Sequence, residues 1–116
     1  MYEIELFETE DGKSPVGEFI GALDGKMWAK VDRVVKLLHE NGPALREPHS
    51  SPLGDGIFEL RAKQGSDITR VLYFFYVGKR IVFTNGFIKK TQKTPKKEIE
   101  KAKNYRKIYF ERKAKK

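Results

Sequence analysis

The chain has 116 residues, a length that suits one compact domain with its own core. It contains no cysteine, which excludes a disulfide scaffold and any Cys-based zinc site, and its 39% hydrophobic content supplies core area without cross-links. The net charge of +8 is unevenly placed: residues 1–88 carry 11 Lys/Arg against 13 Asp/Glu, whereas residues 89–116 carry 13 against 3. That asymmetry points to a polyanionic partner, nucleic acid before membrane, because the tail lacks a strongly apolar face.

Tyr2, Ile4 and Leu6 alternate with Glu3 and Glu5, the period-two pattern of a half-buried strand. Ser14-Pro15 then reads as an N-cap followed by proline at the first helical position, with Val16, Phe19, Ile20 and Leu23 on one face and an end near Asp24-Gly25. A second helix is predicted from Gly25 to Asn41 on the spacing of Met27, Val31, Val34, Val35 and Leu38, stopped by Asn41-Gly42-Pro43. Residues 44–56 are rich in Pro, Gly and Ser and read as a connecting loop. Three strands are predicted next, Ile57–Ala62, Ile68–Val77 and Lys79–Ile88. Thr94-Pro95 repeats the cap-then-proline signal, and Lys96 to about Tyr109 carries Ile99, Ala102, Tyr105 and Tyr109 on one side. The expected fold class is α+β: an antiparallel sheet of about four strands, two N-terminal helices and a C-terminal helix, in the order β-α-α-β-β-β-α. A single domain over residues 1–116 is expected, with a basic C-terminal helix and tail over 95–116. No apolar run reaches the roughly 18 residues of a membrane span, and the N-terminus lacks the character of a signal peptide, so a cytoplasmic protein without membrane association is expected.

The hairpin loops extend the reading to register. A two-residue turn at Gly78-Lys79 pairs Val77 with Arg80, Phe74 with Phe83 and Arg70 with Phe87. A symmetric loop around Gly65-Ser66 sets Arg61 opposite Arg70 and Glu59 opposite Leu72. Alternation then gathers Glu59, Arg61, Arg70, Phe87 and Lys89 on one face at one end of three adjacent strands. Two facing arginines repel, so the pair makes sense when a phosphate or a carboxylate such as Glu59 lies between them. Downstream, Lys89-Lys90-Thr91-Gln92-Lys93-Thr94-Pro95 leads basic residues into a helix N-terminus, which itself favours anions.

Phe58-Glu59-Leu60-Arg61, Thr69 to Phe74, and Gly86 to Pro95 followed by Glu98, Glu100 and Ala102 resemble the phage-derived, HigB-like branch of the RelE/ParE toxin superfamily, most specifically from Phe87 to Pro95. The resemblance implies a RelE-type fold and the toxin of a type II toxin–antitoxin pair: a ribosome-dependent mRNA endonuclease, neutralised by a cognate antitoxin that usually carries a helix-turn-helix domain. Its matching catalytic positions are Arg61, Arg70 and Lys89, to which the strand register adds Glu59. Lys90, Lys93, Lys96 and Lys97 are the expected RNA-binding neighbours. The sequence departs from the family pattern at two points. Glu59 stands where the best-known members carry lysine, and Tyr105 and Tyr109 lie too deep in the last helix to match the C-terminal tyrosine of some members.

The implied reaction is attack of a ribose 2′-hydroxyl on the adjacent phosphate, giving a 2′,3′-cyclic phosphate and a free 5′-hydroxyl without metal or cofactor. It requires a base, a charge stabiliser and an acid. Arginine stays protonated and can only clamp, whereas a lysine crowded by cations gives up its proton more readily. The expected roles are therefore Arg70 on the phosphorane, Arg61 on the phosphate, and Glu59 or Lys89 in proton transfer. His49, in a loop, is the rival base; His39 ends a helix and suits its dipole. Two separated histidines without acidic ligands make no metal site. Tyr73, Tyr76, Phe74 and Phe75 could stack on bases, although alternation sends most of these rings into the core. Two alternative functions share the fold and the charge: a ParE-like toxin acting on gyrase without nuclease activity, and a non-catalytic nucleic-acid-binding domain.

Overall fold

A computed structural model describes residues 1–89 and 93–115. Five strands, β1 (Glu3–Leu6), β2 (Ser50–Gly54), β3 (Ile57–Gln64), β4 (Asp67–Tyr76) and β5 (Arg80–Lys89), join three α-helices, α1 (Pro15–Gly21), α2 (Gly25–Asn41) and α3 (Lys96–Ala114). The α+β class and the helix order are as the patterns predict. The sheet differs in two respects: its order is β1-β5-β4-β3-β2, so there are five strands rather than about four, and β1 runs parallel to β5, so the sheet is mixed.

The extra strand lies inside the segment read as a loop. Its residues, Ser50-Ser51-Pro52-Leu53-Gly54, show little apolar alternation, and its pairing with β3 slips between Pro52 and Gly54. Such a strand exists because β3 offers it an edge; proline is tolerated there because an edge strand need not donate on both sides.

Capping sets the helix starts. Ser14 Oγ accepts from Gly17 N at 3.1 Å, and Asp24 Oδ1 accepts from Met27 N at 2.9 Å. Gly42, at φ 53°, ends α2, and a Cβ there would fall on the Tyr2 ring. At α3 the expected cap is displaced: Pro95 occupies the N-cap position without a side-chain bond, and the Thr94 hydroxyl is used elsewhere.

Strand alternation divides the core between the two sheet faces. Met27, Val31, Val34 and Leu38 of α2, with Val16 of α1, pack against Leu60, Ala62, Val71, Tyr73, Ile81 and Phe83. On the opposite face Ala102 and Tyr109 of α3 pack with Ile57, Leu72, Phe74 and Val82. Tyr73 and Phe74 are buried on opposite faces, and Phe75 and Tyr76 are half-buried.

The register of β3 with β4 is the predicted one, with Arg61 opposite Arg70 and Glu59 opposite Leu72. At the next hairpin the turn is wider than predicted: Tyr76 pairs with Arg80, enclosing Val77, Gly78 and Lys79, and both Gly78 and Lys79 have positive φ. Val77 therefore does not pair with Arg80, and Phe74 faces Val82 instead of Phe83. An irregularity between Leu72 and Tyr73 leaves Thr84 without an opposite residue, and beyond it the register shifts by one. The predicted pairing of Arg70 with Phe87 is thereby recovered.

Candidate functional site

At the end of the sheet away from that turn, β3, β4 and β5 present Glu59, Arg61, Arg70, Phe87 and Lys89 from paired, alternating positions. Glu59 is the centre of the group and is fully buried. Its Oε2 accepts from Arg61 Nε at 2.6 Å and from Arg70 Nη1 at 2.8 Å, and its Oε1 accepts from the Thr94 hydroxyl. The carboxylate thus answers the like-charge problem posed by facing arginines. It also ties the segment entering α3 to the central strands, which is why Thr94 does not cap its helix.

Burial separates the two arginines. The Arg70 side chain is 0% exposed and lies beneath the surface, whereas that of Arg61 is 24% exposed. Arg61 spends its Nε–H on Glu59, which fixes the plane of the guanidinium and leaves the two terminal nitrogens in the geometry of a fork for an anion. Lys89 is exposed at the end of β5, and among the described residues no ion pair or hydrogen bond joins it to the Glu59 group. Phe87 is half-buried beside Arg70, part of the apolar packing under α3.

Lys93, Lys96 and Lys97 are exposed on the approach to α3 and in its first turn. Lys90 lies outside the described residues. The start of α3 is held to β5 by Asn85, whose Nδ2 donates to the Glu98 carbonyl at 3.2 Å and to Glu98 Oε1 at 3.0 Å. His49 is half-buried in the loop before β2, and its carbonyl accepts from Arg61 N at 2.8 Å. His39 is exposed in the last turn of α2. Among the described residues no group of His, Cys, Asp or Glu converges as a metal site, and no helix is long and apolar enough to cross a membrane.

Thr94 is the residue that sequence reasoning assigned to the wrong task. Its neighbour Pro95 made helix capping the obvious use of a threonine, and nothing local records a carboxylate 35 residues earlier in the chain.

A basic α+β chain with a mixed five-stranded sheet, two helices on one face, a C-terminal helix on the other and a buried carboxylate–arginine cluster at a sheet end is compatible with a RelE-like toxin fold. Residues 18–107 match the phage-derived Gp49-like protein family (DUF891), and the chain belongs to that family, a RelE/HigB-type toxin family. The matched span holds the whole cluster and most of α3. Membership points to the toxin of a toxin–antitoxin pair, with a cognate antitoxin as partner. No curated protein matches the chain.

Proposed function

We propose that this protein is a HigB-like toxin that cleaves mRNA on the ribosome, by attack of a ribose 2′-oxygen on the neighbouring phosphorus with departure of the 5′-oxygen. The observation that carries the reading is the Arg61–Glu59–Arg70 arrangement, a buried ion cluster whose one partly exposed member is a guanidinium held in fixed orientation at a sheet end with exposed lysines around it. Preorganised positive charge of this kind stabilises a phosphorane better than mobile surface lysines do, because no reorganisation is required as charge develops.

The roles in this proposal follow burial. Arg61 takes the non-bridging phosphate oxygens. Arg70 and Glu59, shielded from solvent, act as positioning residues that set the Arg61 plane, a different division from one in which Arg70 itself meets the phosphorane. Among the described residues the hydrogen bonds of Glu59 run to Arg61, Arg70 and Thr94 within the protein, so proton transfer falls to the exposed Lys89, taking the 2′-hydroxyl proton or supplying one to the leaving 5′-oxygen. Lys93, Lys96 and Lys97 attract the RNA backbone, as Lys90 would from the same run.

The test is expression of the protein in cells carrying a defined reporter message, with primer extension on the translated mRNA. Wild type is expected to produce discrete cleavage ends that vanish when initiation of that message is blocked, and Arg61→Ala is expected to lower cleavage at least 100-fold while remaining folded. Growth arrest with intact mRNA and inhibited gyrase supercoiling would replace this reading with the ParE-like one. Arg61→Ala cleaving as wild type would remove the site assignment.

A further inference from the structure

A second basic feature lies beside the cluster. Between α2, the loop before β2 and the far end of β3 runs a groove of about 410 Å³, within the range of roughly 300–1,000 Å³ that takes small-molecule-sized groups. Its rim carries Lys30 and Arg33 from α2, His49 from the loop, and Arg61 and Lys63 from β3, with no carboxylate lining it. Its floor is apolar, made by Val34, Ala62 and Ile68.

The local structure explains how these side chains converge. Lys30 and Arg33 are three residues apart and share a helix face, next to the buried Val34. The β2–β3 ladder ends at Ser50 opposite Leu60, so β3 beyond Arg61 has no strand on its outer side and the groove opens there. Lys30, Arg33 and Lys63 are exposed, and among the described residues none is in an ion pair. Assembling uncompensated cations around an apolar floor opposes folding, and a bound polyanion relieves it.

We infer that this groove is a binding subsite for single-stranded RNA, seating phosphates on the Lys30–Arg33–Lys63 rim and a base on the Val34–Ala62–Ile68 floor. Resting on the proposed RNA-directed function, the assignment makes Arg61 the junction between the scissile position and the flanking nucleotides, since Arg61 belongs both to the Glu59 cluster and to the groove wall. An acidic protein segment would meet the same rim charge and the same aliphatic floor; RNA is favoured because Arg61 is shared with the Glu59 cluster, which sets the groove beside the proposed scissile position.

Fluorescence anisotropy with a labelled 2′-O-methyl oligouridine, which cannot be cleaved, tests the subsite over a range of salt. The variant Lys30→Ala/Arg33→Ala is expected to bind at least tenfold more weakly than wild type, with the slope of log K against log salt shallower by about 1.4, two phosphate contacts at about 0.7 each. Lys13→Ala/Lys26→Ala removes the same charge from exposed positions off the groove and outside the basic C-terminal segment, and is expected to change affinity less than threefold. Equal losses in the two variants would reduce the groove to general electrostatics and overturn the inference. So would tighter binding of an acidic Glu/Leu peptide than of the oligouridine. Translation-dependent cleavage, measured in parallel, separates the two ideas. A groove effect without cleavage retains the subsite and removes the nuclease; cleavage without a groove effect does the reverse.

Discussion

Glu59 holds two guanidinium groups and a threonine hydroxyl while fully removed from solvent, so its value lies in compensating charge that is already buried. Removing one member of a buried pair costs more than the pair contributes, because the remaining ion has lost its water and its partner together. Glu59→Ala is therefore expected to destabilise the protein by about 3–5 kcal/mol, seen as a lower urea midpoint with an unchanged m-value. A loss below about 1 kcal/mol, the range of surface pairs, would show that Arg70 does not depend on it. The polarity of the cluster was legible from alternation and hairpin register, since both arginines and the glutamate occupy paired positions on one face. Its burial was not. Whether a charged residue at a sheet end is covered depends on α3 and the segment entering it, and those pack back across the sheet from far along the chain.

Among the elements, α1 is seated by a close approach that only a glycine permits. A Cβ built on Gly86 would stand 2.6 Å from Phe19 Cε2 and 3.1 Å from the Arg70 carbonyl, inside normal contact distance. Gly86→Ala is expected to lower stability by about 1–3 kcal/mol through overpacking, with Phe19→Leu in the same chain restoring part of it. Thermal melts of the single and double variants check this, and equal losses in both would place the strain at the backbone instead. The two ends of the β4–β5 hairpin show how an element can be read correctly at one place and wrongly at another. Two consecutive left-handed residues widen the turn by one, and the unmatched Thr84 shifts the ladder back, so the register holds where the cluster lies and fails near Val77. Thr84 lies with its hydroxyl 3.1 Å from the Leu72 carbonyl, a contact that serves the irregular ladder and has no signature in a run of β-forming residues.

For the whole molecule, the two faces of the sheet bury tyrosines whose hydroxyls are better kept protonated than ionised. Burial pushes the Tyr73 hydroxyl above its ordinary value of 10.0, against a smaller opposing pull from its hydrogen bond with Ser50, and burial also raises Tyr109 on the α3 side. A folded pKa raised above the unfolded one gives stability that is fully present below pH 10 and is lost as pH rises through the folded value. Thermal stability is thus expected to fall progressively above pH 10. Tyr73→Phe should start lower at neutral pH, because Ser50 loses its buried partner, and then decline less steeply. Identical alkaline slopes for variant and wild type would exclude Tyr73 as a source.

The sequence by itself determined the α+β class, the helices and their order, the concentration of charge toward the C-terminus, and the pairing of Arg61 with Arg70, because periodicity, capping residues and short hairpin loops are local and act within a few residues. Tertiary structure alone decided the fifth strand, the parallel seat of β1, the capture of Thr94 by Glu59, and which arginine meets solvent. Each of these depends on a partner distant in sequence: an edge awaiting a strand, a carboxylate awaiting a hydroxyl, a helix closing over a sheet. The basic groove beside Arg61 belongs to the same category, since Lys30 of α2 and Lys63 of β3 border one groove only after α2 has packed against β3.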